Sequence, residues 1–134
     1  MKLDRRTVLI GGGVGVGLVV AFSLWPRHLG SDLPVKAGEQ AFGNYIKIGR
    51  DGRVTVAVPQ VETGQGIWTA LPQIVADELG AAWETVAVEP APLTGEYANS
   101  LAEHKLRITA GSTSVRAFER PLRETAAIAR AMLI

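Results

Sequence analysis

Val58-Pro-Gln-Val-Glu-Thr-Gly-Gln-Gly66 and the run behind it, Ile67 to Leu79, decide how this chain is read. Ahead of them, Tyr45-Ile-Lys-Ile48 and Arg53-Val-Thr-Val-Ala-Val58 alternate with the period of strands. Behind them, Ile67, Leu71, Ile74, Val75 and Leu79 recur on one face of a helix, and Gly80 is placed to close it. Pro72 in the second turn predicts a bend or a shifted start. Gly64-Gln65-Gly66 therefore falls in a strand-to-helix turn. Free backbone N–H groups and the positive end of the helix dipole favour an anionic or polar ligand there. The flanking glycines allow close backbone approach, and the Gln65 amide can both donate and accept. The plain alternative is a tight turn with no ligand.

Upstream, Gly49-Arg-Asp-Gly52 joins Asn44–Ile48 to Arg53–Val58 as a hairpin, with Asp51-Gly52 as its turn signal. Residues 31–42 carry Gly, Ser, Asp and Pro without a sustained period and read as a linker. Residues 1–30 open with Arg5-Arg6, followed by an uncharged stretch from Val8 to Trp25. This is the pattern of a twin-arginine export signal, with cleavage or retention as a membrane anchor left open. The expected destination is the periplasm. The glycines at 11, 12, 13, 15 and 17 never fall at i, i+2 and i+5, so a dinucleotide fingerprint fails. Gly11 with Gly15, or Gly13 with Gly17, offers a helix-pairing face, unless the glycines only temper the hydrophobicity of a signal.

Downstream, Thr85-Val-Ala-Val-Glu89 alternates as a short strand, giving strand–helix–strand around the Gly-Gln-Gly turn. Pro90 to Ala102 reads as a loop in which Tyr97 and Asn99 serve either the turn or a contact. Ile108-Thr-Ala-Gly-Ser-Thr-Ser-Val-Arg116 is the second informative stretch. Ser112, Thr113 and Ser114 most simply cap a helix, and such hydroxyls and amides also suit a phosphate or a polar heterocycle. Val115, Phe118, Leu122, Ala126, Ala129 and Leu133 line one face of that helix, with an arginine row on a solvated face opposite. Glu119 with Arg123 and Arg120 with Glu124 are i, i+4 pairs. Pro121 predicts either a kink or a later start near Arg120. Ala131-Met-Leu-Ile134 lacks a stop signal, so the stretch 43–134 is expected to be a partial domain, marginally stable alone. The expected fold class is α+β, a small sheet with two helices packed on it.

Composition narrows the chemistry. There are no cysteines among the 134 residues, which excludes disulfides, thiolate metal sites and cysteine nucleophiles. His28 and His104 are far apart, without metal-ligand spacing. The net charge is +1 and no basic block is interleaved with aromatics, so nucleic acid is not an expected partner.

Val58-Pro-Gln-Val-Glu-Thr-Gly-Gln-Gly-Ile-Trp-Thr-Ala-Leu-Pro72, Ala76-Asp-Glu-Leu79, Gly111-Ser-Thr-Ser-Val-Arg116 and Pro121-Leu-Arg123 together resemble a known family. They are similar to the molybdopterin-binding large subunits of isoquinoline 1-oxidoreductase and membrane-bound aldehyde dehydrogenases, of the xanthine dehydrogenase family. The likeness runs from about Asn44 to the last residue, in the family's order. It implies a molybdenum hydroxylase that binds a molybdopterin cytosine dinucleotide and oxidises aldehydes or N-heterocycles with water as oxygen donor. It implies as partners the remainder of the large subunit, an iron–sulfur small subunit and, where the leader is retained, a membrane anchor. Carried onto this chain, Gly64, Gln65 and Gly66 would contact the pterin or its phosphates, and Gly111, Ser112, Thr113 and Ser114 would supply a second set of donors. Thr63 stands where the family usually has methionine, and Ala110 where a glycine usually precedes Gly111. The glutamate base of the family lies in a carboxy-terminal motif not found here. Glu62, Glu78, Glu89 and Glu119 sit in no matching context, so no catalytic residue is nominated and the chain alone is expected to be inactive. The alternative of a different class is a small membrane-anchored binding domain without a cofactor.

Overall fold

A computed structural model describes residues 31–134. The order is β1 (Glu39–Phe42), β2 (Ile46–Gly49), β3 (Val54–Val58), α1 (Ile67–Leu79), β4 (Val86–Pro90) and α2 (Ser114–Leu133), with short 3-10 turns in the connections. The strands form one mixed sheet in the order β1-β2-β3-β4. The first three are antiparallel neighbours, and β4 lies parallel to β3 after the α1 crossover. This is the expected α+β class. The expected signal or anchor over residues 1–30 lies outside the described residues. Among those described, no helix is long and apolar enough to cross a membrane.

The period of two along the strands sorts their side chains cleanly. Phe42, Ile46, Val56 and Val88 sit in register across all four strands and face the helices. Ile67, Leu71 and Val75 of α1 meet that face, and α2 completes the core with Ala117, Phe118, Leu122, Ala126 and Ala129. Fully burying a side chain such as Leu71 or Leu122 stabilises the fold by about 1.5–3 kcal/mol. The expected face of α2 is therefore buried through its middle, whereas Val115 and Leu133 at its ends are exposed. On the other side of the sheet, Ala57 packs with Leu33, Ala91 and Tyr97. There Lys47 is buried and donates to Glu89 Oε2 and to Pro34 O, at 2.8 and 3.0 Å.

Residues 31–42 are more than a linker, because β1 forms at their end as an edge strand. Its sequence, Glu-Gln-Ala-Phe, has no β-branched residue, and pairing with β2 supplies what local propensity does not. Neither proline stops its helix: α1 passes through Pro72, and α2 starts at Ser114 and runs unbroken through Pro121. Gly80 closes α1 through its amide to Ala76 O at 2.9 Å. The arginine row is not wholly solvated. Arg123 reaches Asp77 and Glu78 of α1, each at 3.2 Å, besides its helical partner Glu119 at 3.5 Å. Arg120 meets Glu124 as expected, at 2.7 Å, in an exposed pair worth less than about 1 kcal/mol.

Candidate functional site

The two glycine-containing elbows, one ahead of each helix, open onto one cleft of about 440 Å3. Thr63, Gln65, Ile67 and Ala70 form one wall. Thr109, Ala110, Gly111, Ser112, Ser114 and Val115 form the other. Of the residues singled out in the sequence, Gln65, Gly111, Ser112 and Ser114 are brought together here. Gly64, Gly66 and Thr113 belong to the elbows but are not among the lining residues.

The first elbow is built on positive φ, 95° at Gly64 and 78° at Gly66, a conformation that L side chains rarely adopt. Most of its amides are not free. The Glu62 carboxylate accepts from Gly64 N at 2.8 Å and Gly66 N at 3.0 Å through Oε1, and from Trp68 N at 3.0 Å through Oε2. The Trp68 amide first, and then that of Gly66, hold the Glu62 carboxyl below the usual carboxylate range. A protein anion thus occupies the position that the sequence offers to a ligand anion. Gln65 is held as well. Its Oε1 accepts from Thr63 N and Thr63 Oγ1 at 2.6 and 2.8 Å, while its Nε2 donates to Val61 O at 2.7 Å. Because a backbone N–H only donates and a carbonyl only accepts, the amide orientation is fixed, and one Nε2 proton remains for a ligand.

The second elbow turns through Gly111 and Ser112, both left-handed at φ 65° and 54°. Its hydroxyls do not cap α2 in the expected way. Thr113 Oγ1 donates to Ala110 O and accepts from Asn99 Nδ2, both at 2.7 Å. Ser114 Oγ donates to Gln60 Oε1 at 2.7 Å. Ser112 is exposed, and its hydroxyl is engaged by no described residue. The first helical bond of α2 runs from Ala117 N to Thr113 O at 2.8 Å, so the amides of Ser114, Val115 and Arg116 ahead of it have no intrahelical acceptor. The open donors of the cleft therefore include Ser112 Oγ, this helix start, the remaining Gln65 N–H and the hydroxyl proton of Thr109, whose oxygen accepts from Val61 N.

Gln60, Trp68 and Thr109, which the sequence did not single out, and Asn99, which it did, hold the elbows together. Val61 N donates to Thr109 Oγ1 at 2.9 Å, and buried Gln60 accepts from Trp68 Nε1 through its backbone oxygen and from Ser114 through its side chain. Asn99 is fully buried and bonds Thr113, Ile108 O and Leu101 N. Of the two open readings of Asn99 and Tyr97, the structural one holds. Tyr97 is buried against Tyr45, its ring centroid 5.7 Å away, and burial pushes its hydroxyl up to about 12. The acid near a helix start was the one legible hint for Glu62; Gln60 carried no signal.

Residues 5–133 match the profile of the molybdopterin cofactor-binding domain. The chain belongs to that family. It is 34% identical over 137 residues to the isoquinoline 1-oxidoreductase subunit beta of Brevundimonas diminuta, covering all of this chain and 17% of that protein. It is 33% identical over 119 residues to a membrane-bound aldehyde dehydrogenase (pyrroloquinoline-quinone) of Gluconacetobacter polyoxogenes, covering 85% of this chain and 14% of that one. The chain thus spans only about one sixth to one seventh of the length of these curated relatives. The cleft fits such a group. Its donors are neutral amides and a hydroxyl, suited to the edge of a polar heterocycle, and beside Gly64 and Gly66 no atom lies within 4 Å of where a Cβ would be.

Proposed function

We propose that this chain is the amino-terminal portion of the large subunit of an exported molybdenum hydroxylase, and that it holds part of the cofactor while the acid–base chemistry lies on further polypeptide. The observation that carries this is the convergence of Gln65 and Ser112 on one cleft, within a domain of the molybdopterin-binding family. Bound as molybdopterin cytosine dinucleotide, the cofactor supplies the redox centre at which an aldehyde or N-heterocycle is oxidised with water as oxygen donor. Gln65 donates its remaining N–H to an acceptor on that group, and Gly64 and Gly66 let it approach the backbone. Ser112 Oγ and the amides opening α2 form the second set of donors, which Gly111 turns toward the cleft. Thr113 and Ser114 act behind them, because their hydroxyl protons go to Ala110 and Gln60. The partners of this reading are the remainder of the large subunit and an iron–sulfur small subunit. Export follows the twin-arginine route to the periplasm, with the leader serving as membrane anchor where it is retained.

The test is to express the chain alone and joined to the remainder of a large subunit, and to measure bound molybdenum and aldehyde oxidation. Molybdenum is expected only in the joined form, and Gln65→Ala with Ser112→Ala lowers its content there. Turnover by the 134 residues alone would overturn the assignment. So would unchanged molybdenum content in the double variant.

A further inference from the structure

We propose that Glu62 is a positioning residue: its carboxylate forms the Gly64-Gln65-Gly66 elbow in advance, so that Gln65 presents its one open N–H to the cleft before any cofactor arrives. The role toward the cofactor rests on the function proposed above; the role toward the loop stands on geometry alone.

Packing does not hold this elbow. Thr63, Gly64, Gln65 and Gly66 are all exposed, and space is open around Gly64 and Gly66 where a side chain would begin. Two glycines at positive φ sample many conformations unless something fixes them. Two side chains do so here. Gln65 closes the loop by bonding Thr63 and Val61. Glu62 pins it from the other side, collecting Gly64 N, Gly66 N and Trp68 N on one carboxylate. Trp68 anchors this arrangement, since its Nε1 also donates to Gln60 O at 2.9 Å, and buried Gln60 accepts from Ser114 at the second elbow. The chain of bonds thus runs from Glu62 through Trp68 and Gln60 to the opposite wall of the cleft. A neutral amide at position 62 keeps the shape but turns an NH2 group toward backbone donors, so it satisfies fewer of the three. Charge is also lost, and charge-assisted bonds are roughly twice as strong as neutral ones.

The experiment uses the full chain without cofactor. In the wild type, through-bond couplings across the hydrogen bonds should connect the Glu62 carboxylate carbon to the amide nitrogens of Gly64, Gly66 and Trp68. In Glu62→Gln, amide exchange at those three positions should accelerate by about tenfold while Val56 in β3 keeps its protection. The Gln65 side-chain amide should shift toward its free-chain frequencies. Couplings absent from the wild type, or exchange at Gly64, Gly66 and Trp68 unchanged in the variant, would overturn the proposal. The wild-type measurement decides even if the variant fails to fold. Because no cofactor takes part, these results fail or succeed separately from the molybdenum measurements that test the proposed function.

Discussion

The two elbows start from similar material, glycine and small polar residues ahead of an amphipathic helix, and reach different electrostatic states. The first is closed by its own chain: Glu62 takes the amides of Gly64, Gly66 and Trp68, and Gln65 is left with one donor. The second is tied from behind, by Asn99 and Gln60, so that its hydroxyls brace the turn while the first amides of α2 face outward without intrahelical acceptors. A glycine-flanked polar turn at a helix start is therefore not by itself an anion site. What matters is whether a nearby carboxylate reaches the amides first. Here the first elbow has most of its amides taken and keeps one oriented side-chain donor, the second an open cluster of donors, and the cleft between them is asymmetric.

The largest expected effect erases the contrast. Leu122 is fully buried between α2 and the rest of the core. Leu122→Ala should cost about 2–5 kcal/mol in urea unfolding and loosen both elbows together, since both helices stand on that core. Asn99→Ala should sharpen the contrast by loosening only the second elbow. It removes the partners of Thr113 Oγ1, Ile108 O and Leu101 N, a loss of about 1–3 kcal/mol, with amide exchange rising around Gly111 and unchanged at Gly64. Ser112→Gly should have the opposite sign. It relieves a left-handed non-glycine residue and raises the unfolding free energy measured in urea by up to about 1 kcal/mol, yet deletes the open hydroxyl, so a joined large subunit should retain less molybdenum. The smallest effect is expected at Glu62. A carboxyl held below its ordinary value stabilises the fold above the unfolded value near 4.5 and loses that contribution as the pH falls through the folded value. The stability difference between wild type and Glu62→Gln should hold steady at neutral pH and shrink in acid. A difference that grew in acid would mean that the first elbow is not closed by this carboxylate.

Much of this architecture was legible from the chain alone. Periodicity placed β3, α1, β4 and the buried face of α2, because a side chain's burial follows from its position on a strand or helix whichever neighbour covers it. The order of the motifs from Val58 to Arg123 pointed to the family to which the chain belongs. Other features were not written locally. β1 exists because β2 offers an edge, and Arg123 crosses to α1 only because the two helices lie side by side. Glu62 stands several residues ahead of the helix that it caps and is not the Ser, Thr, Asp or Asn at the N-cap position that usually betrays such a role. That Gln65, Ser112 and Ser114 share a cleft, and that the Ser114 hydroxyl is spent on Gln60, depends on contacts between residues tens of positions apart. Sequence period fixes which side of an element is apolar; only the packed chain decides which donors remain open, because that depends on what else comes within hydrogen-bond reach.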